Sequence, residues 1–229
     1  MKSKALVCLL GCIILMVTGC QNNLDSNIPK KDEVVKSGTN SMISREQSLY
    51  FNCLATDGIA AYSLLQLLYE QPKIMESVMV DYTLYSEDYL TKTDIDKKKD
   101  NFAILPFELA IDTLLRHDTY KLVGVVKNNG EPEYRLGLII TNDIIELHPE
   151  FVETFVKRYL ESCTWVTQNP ERALAYAVQL NIAASEAPAE TFVYYNASRS
   201  VKTIGAFLLE LGYNEEQVKR IEEQTINSN

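Results

Sequence analysis

Between Ser48 and Thr141 the chain alternates short β-rich apolar runs with helix-patterned stretches, and this alternation restricts its fold more than any other feature. Strand patterns lie at Ser48–Leu54, Val78–Tyr85, Phe102–Leu105, Lys121–Val126 and Tyr134–Thr141. A helix pattern at Gly58–Glu70 puts Ile59, Tyr62, Leu65, Leu68 and Tyr69 on one face, and Pro72 ends it. Strand, helix and strand in succession predict parallel pairing with right-handed crossovers. The expected class is therefore α/β, with a mostly parallel sheet of about five strands and flanking helices.

The rest of the chain is helical, and its ends are marked. Pro149 opens a helix with apolar positions Phe151, Val152, Phe155, Val156, Tyr159, Leu160 and Cys163. Asn169 is placed to cap a helix that starts at Pro170. Another runs from Ser200 to Leu211 and stops at Gly212, and Asn214 with Gln217 forms a capping-box start for the last. Residues 45–229 suffice for one ordinary domain and are short for two.

The N-terminus has a different character. Lys2 and Lys4 precede an apolar run from Ala5 to Val17 that is too short to span a bilayer and reads as a secretory signal. Val17-Thr18-Gly19-Cys20 then resembles the bacterial lipoprotein cleavage box. That resemblance implies removal of residues 1–19 and a diacylglyceryl group on Cys20, tethering the protein to the extracytoplasmic face of the cell membrane. Residues 20–44 are polar and without pattern, as expected of a disordered tether with a reach of about 25–30 Å.

Without residues 1–19 the formal charge moves from −9 to −11, from 20 basic and 31 acidic residues. No concentrated basic face is visible, so nucleic acid is not an expected partner. Of five cysteines, only Cys53 and Cys163 belong to the folded part. Both lie in apolar runs and read as two separate buried thiols, although an oxidising compartment would permit a bridge.

Several segments, in order, resemble the type 2 periplasmic substrate-binding fold, in the branch of ABC-transporter binding proteins related to the thiamine-precursor, taurine and nitrate binders. They are Val80-Asp81-Tyr82-Thr83-Leu84-Tyr85, Phe102-Ala103-Ile104-Leu105-Pro106-Phe107-Glu108, Tyr120-Lys121-Leu122-Val123-Gly124 and Leu136-Gly137-Leu138-Ile139-Ile140. The pair of late helices from His148 to Val166 and from Asn169 to Ala173 completes the series. The resemblance covers about residues 48–185. It implies a lipid-anchored protein that binds a small organic solute and delivers it to an ABC permease. Family members have two lobes, whereas this chain has length for about one. The stretch from Ser86 to Asn101, where the family has an amphipathic helix, reads here as a solvated charge run. The alternative is a surface lipoprotein of interaction or structural role that keeps one lobe without binding a small molecule. Two copies pairing to rebuild a cleft form a third possibility.

Ligands of open α/β sheets sit beyond the carboxyl ends of the strands. Thr56, Asp57 and Gly58 are one candidate there, with Asp57 readable either as a ligand group or as a helix cap. Phe107 and Glu108 are another, with Tyr82 nearby. Phe107 offers a ring to stack on a flat ligand, and Glu108 is either a ligand group or a first-turn acid. Asn128 opens Asn128-Asn129-Gly130, readable as a turn or a ligand loop. Trp165 and the pair Tyr194-Tyr195 read as packing residues. No metal-ligand spacing, nucleophile elbow or phosphate loop is present, and His117 and His148 are the only histidines. A non-enzyme without metal or cofactor is expected.

Overall fold

A computed structural model describes residues 49–86, 101–129, 133–182 and 191–225. The signal segment, Cys20, the tether, most of the charge run and Gly130 lie outside these. Six strands form one sheet: β1 (Leu49–Thr56), β2 (Val78–Tyr85), β3 (Phe102–Pro106), β4 (Tyr120–Asn128), β5 (Tyr134–Thr141) and β6 (Phe192–Asn196). Their order is β2-β1-β3-β5-β4-β6. β1 pairs in parallel with β2 and β3, while β5 runs antiparallel to both β3 and β4, and β6 antiparallel to β4. Strands β1 to β4 thus point one way and β5 and β6 the other. The expected class holds, with one strand more than the sequence pattern indicated. The added strand is the one that holds Tyr194 and Tyr195.

Alternation along the strands divides the core between the two faces of the sheet. Phe51, Cys53, Ala55, Phe102, Ile104, Leu136, Leu138 and Ile140 point to one face. It is covered by α1 (Ile59–Ser63), α2 (Leu65–Glu70), α4 (Asn142–Leu147), α5 (Pro149–Gln168) and α6 (Pro170–Gln179). Leu54, Ala103, Leu105, Leu122, Val125 and Ile139 point to the other. That face is covered by α3 (Phe107–Arg116), α7 (Val201–Glu210) and α8 (Glu215–Glu223).

The expected helix from Gly58 to Glu70 is broken at Leu64 into α1 and α2. Ser63 explains the break: its hydroxyl bonds back to the Ala60 carbonyl at 2.7 Å, while its own carbonyl accepts from Ser162 Oγ of α5 at 2.9 Å. A side chain inserted into a helical ladder in this way is a recognised cause of a kink. Asn169 also departs from expectation. Its side-chain amide donates to the Trp165 carbonyl at 2.9 Å, so it closes α5 instead of capping α6. The box at α8 forms as read, with Gln217 N donating to Asn214 Oδ1 at 2.9 Å and Asn214 N to Gln217 Oε1 at 3.0 Å. Cys53 and Cys163 are both buried and are not joined by a disulfide. Among the described residues, no helix is long and apolar enough to cross a membrane.

Candidate functional site

The site begins with one extra residue in β4. The register against β5 slips between Leu122 and Gly124, leaving Val123 as a bulge. Leu122 keeps to the α3 side, while Val123 joins the core on the α5 side. Such bulges re-aim side chains and increase local twist. Here the bulged carbonyl becomes an anchor: Val123 O accepts from Tyr194 Oη at 3.2 Å and from Ala197 N at 3.0 Å. The Tyr194 ring then lies across Gly124, where a Cβ would stand 2.3 Å from ring carbon Cε2. Only glycine admits the ring this close. Burial pushes the Tyr194 phenol up to about 12, partly offset by a hydrogen bond with Asn196.

Opposite Tyr194 runs α5, whose apolar arc is wider than a single core stripe. Phe151, Phe155, Tyr159, Cys163 and Val166 are buried. Beside them Val152, Val156 and Leu160 form a second row, of which Val156 and Leu160 stay half-exposed. Between this row and the β4–β6 end of the sheet lies a groove of about 890 Å³. Its apolar lining is Val123, Val152, Val156, Leu160, Trp165 and Tyr194, and its rim carries the polar side chains of α5, Gln66, Asn196 and Ser198. That volume falls within the range of small-molecule sites.

Trp165 is fixed by a stack. Its ring lies 5.3 Å from that of Tyr176 at 16°, and Tyr176 lies 3.6 Å from Tyr69 at 14°. Arg172 sits 5.7 Å from the Trp165 ring centre and pairs with Glu70 at 3.4 Å. Glu70 also accepts from Tyr176 Oη at 3.3 Å. The exposed ion pair adds little energy. The stacked rings contribute more through their contact area.

The seven residues singled out in the sequence lie elsewhere, and none lines this groove. Thr56 and Asn128 stand at the carboxyl ends of β1 and β4 with their side chains buried. Asn128 is five residues beyond Val123, about 16 Å along the strand. Asp57 Oδ1 accepts from Gly58 N at 2.8 Å, just before α1, which begins after Gly58 at φ 93°. Tyr82 is buried on the α5 side of the sheet, and burial raises its phenol well above the usual value. Phe107 is fully buried on the opposite side, against Phe207 at 6.4 Å and therefore has no face open for stacking on a ligand. Glu108 is exposed in the first turn of α3. The residues following β2 and β4 at this edge, 87–100 and 130–132, lie outside the described residues. Sequence reading assigned Trp165 and Tyr194 to packing. The signal for a groove was the doubled apolar row on α5, too wide for one buried face.

No protein-family model and no curated protein matches the chain. Among solved structures it is similar to an ABC transporter protein from Parabacteroides distasonis, at TM-score 0.58 and 13% identity, over 74% of this chain and 94% of the other. It is also similar to a Candida albicans gene product described as defining a family with the generic periplasmic binding protein fold. That likeness has TM-score 0.52 and 9% identity, over 79% of this chain and 97% of the other. At such identities the shared property is the fold, which is of the periplasmic-binding-protein kind.

Proposed function

We propose that this chain is an extracytoplasmic solute-binding protein, anchored by lipid on Cys20, that holds a small organic ligand in the groove between α5 and β6 and delivers it to an ABC importer. The observation that carries this reading is a ligand-sized apolar groove with a polar rim, built on a fold of the periplasmic-binding kind. A bulge, a glycine and an aromatic stack fix its two aromatic walls before any ligand arrives. Such preorganisation reduces the ordering cost of binding.

The alternative, a surface lipoprotein that engages a partner without a solute, draws on one observation: Thr56, Tyr82, Phe107 and Asn128 are buried at or near the strand ends instead of lining a cleft. A thermal-shift screen of the mature chain with pyrimidines, sulfonates and amino acids separates the two, because a ligand specific for the folded state raises the melting temperature. A shift abolished by Leu160→Lys and kept by Asp57→Asn and Glu108→Gln supports the groove. A shift lost in the latter pair and kept in the former moves the site to the strand ends. No shift with any compound favours the partner-binding alternative. Cys20→Ser is expected to leave uncleaved precursor and to abolish incorporation of a labelled fatty acid.

A further inference from the structure

The groove sets a charged rim beside an apolar floor. Its α5 wall extends from Val152 to Gln168, sixteen residues or about 24 Å of helix. At the Val152 end stand Glu153 and Lys157, exposed and one turn apart. Pairs at this spacing are close enough to bond to each other. Yet among the described residues neither takes part in an ion pair, while the next acid on the same face, Glu161, is held by Arg158 at 2.9 Å. Val156 lies level with this pair, and from Leu160 the floor runs on to the stacked ring of Trp165, eight residues or about 12 Å past Lys157. The Val152 end therefore offers two opposite charges that form no ion pair among the described residues, and the far end offers an indole beside Thr164, Gln168 and a Glu161 already held by Arg158.

Resting on the reading of this groove as the solute site, we infer that its ligand is a linear amphiphile with a compact zwitterionic head, seated between Glu153 and Lys157, and an apolar tail lying over Val156 and Leu160 to reach Trp165. The charges select the head. An anion alone meets Glu153, Glu161 and a mature chain of formal charge −11, and a cation alone leaves Lys157 unmatched. The volume selects the body. A recess of 890 Å³ running along about 24 Å of helix is elongated and suits an extended chain.

Trp165 is the single tryptophan of the chain, so its emission reports on the groove directly. The mature protein is titrated with monomeric dodecylphosphocholine, dodecyltrimethylammonium or dodecyl maltoside, each below its micelle concentration. The expected result is a saturable change in emission with the zwitterion, at concentrations about tenfold lower than with the other two. Glu153→Gln combined with Lys157→Gln is expected to erase that preference while leaving a residual response. Leu160→Lys is expected to abolish the response, and Val156→Lys does so independently should the first variant melt early. Equal affinity for the three probes overturns the zwitterionic head, and an unchanged response in both lysine variants overturns the groove as the tail site. A solute that raises the melting temperature without moving Trp165 emission overturns this inference and leaves solute binding standing. Failure of every compound to raise the melting temperature removes both.

Discussion

The contact between Gly124 and Tyr194 permits a sharp test of how the fold builds its groove. In Gly124→Ala the new Cβ would stand 2.3 Å from Cε2, 2.6 Å from Cζ and 2.6 Å from Oη of Tyr194. The backbone itself does not forbid alanine, because Gly58 and Gly212 are the described glycines with positive φ. The whole cost therefore lies in the ring. Moving it breaks the bond from Tyr194 Oη to the Val123 carbonyl, worth about 1 kcal/mol, and gives up part of its packing. Overpacking of this kind costs about 1–3 kcal/mol, so a destabilisation of about 2 kcal/mol is expected by urea unfolding. In a Tyr194→Ala background the obstacle is gone. There Gly124→Ala is expected to be neutral or to stabilise by up to about 0.5–1 kcal/mol, since alanine has less chain entropy to lose in a strand. The double-mutant cycle thus has a coupling energy of about 2–3 kcal/mol. Equal costs in the two backgrounds would refute the reasoning and would mean that Gly124 is needed by its backbone and not by the ring.

Two further outcomes follow from the buried polar groups. Ser162→Ala removes the 2.9 Å hydroxyl bond to the Ser63 carbonyl at the break between α1 and α2, leaving that buried acceptor only a 3.8 Å thiol contact from Cys163, and is expected to cost about 1–3 kcal/mol in chemical denaturation. Burial raises the Cys163 thiol from its ordinary value of 9.0 to about 12, and it likewise raises Tyr194 and Tyr213 from 10.0 to about 12. Because these folded-state values exceed the unfolded ones, their stabilisation is complete below about pH 9 and lost as pH climbs from about 9 towards 12. Melting temperature should fall across that window, and a thiol reagent at pH 8 should label Cys53 and Cys163 only on unfolding; rapid labelling of the native protein would contradict the burial.

The elements that could be read in the sequence are those whose signals are local. Val78–Tyr85 and Tyr134–Thr141 carry dense β-branched and aromatic runs and occur at the expected bounds. Pro149, Pro170 and Gly212 punctuate helices by backbone chemistry that tertiary contacts do not override. What escaped reading depends on partners distant in sequence. The break at Leu64 is stabilised by Ser162, 99 residues from Ser63. β6 is only five residues long and gains its place by pairing with β4, about 70 residues earlier. The site is the extreme case, because Tyr194 becomes a wall only through a bulge at Val123 that no pattern along β4 announces. Conversely, the residues chosen at the strand ends follow a general rule for open α/β sheets. That rule locates an edge and cannot tell that Phe107 turns inward.

The location of the groove follows from unequal helical cover on the two faces of the sheet. On the α3 side, α7 reaches the outermost strand and Phe207 closes over Tyr195 at 5.3 Å. On the α5 side, Phe151 and Phe155 pack α5 over Phe51 and Phe102, on β1 and β3. α5 is thereby packed on the middle of the sheet, and it also approaches β6 at the sheet edge. Tyr194 and Val156 both line the groove, each partly buried and packed against the core. Both faces of β6 carry aromatic side chains, so composition alone would lead to equal cover. The ring of Phe102 on β3 stacks on Phe155 of α5 at 4.6 Å and anchors the helix over that strand. An apolar trough kept open by a core contact is a recess into which a ligand can bring the packing that α5 does not provide.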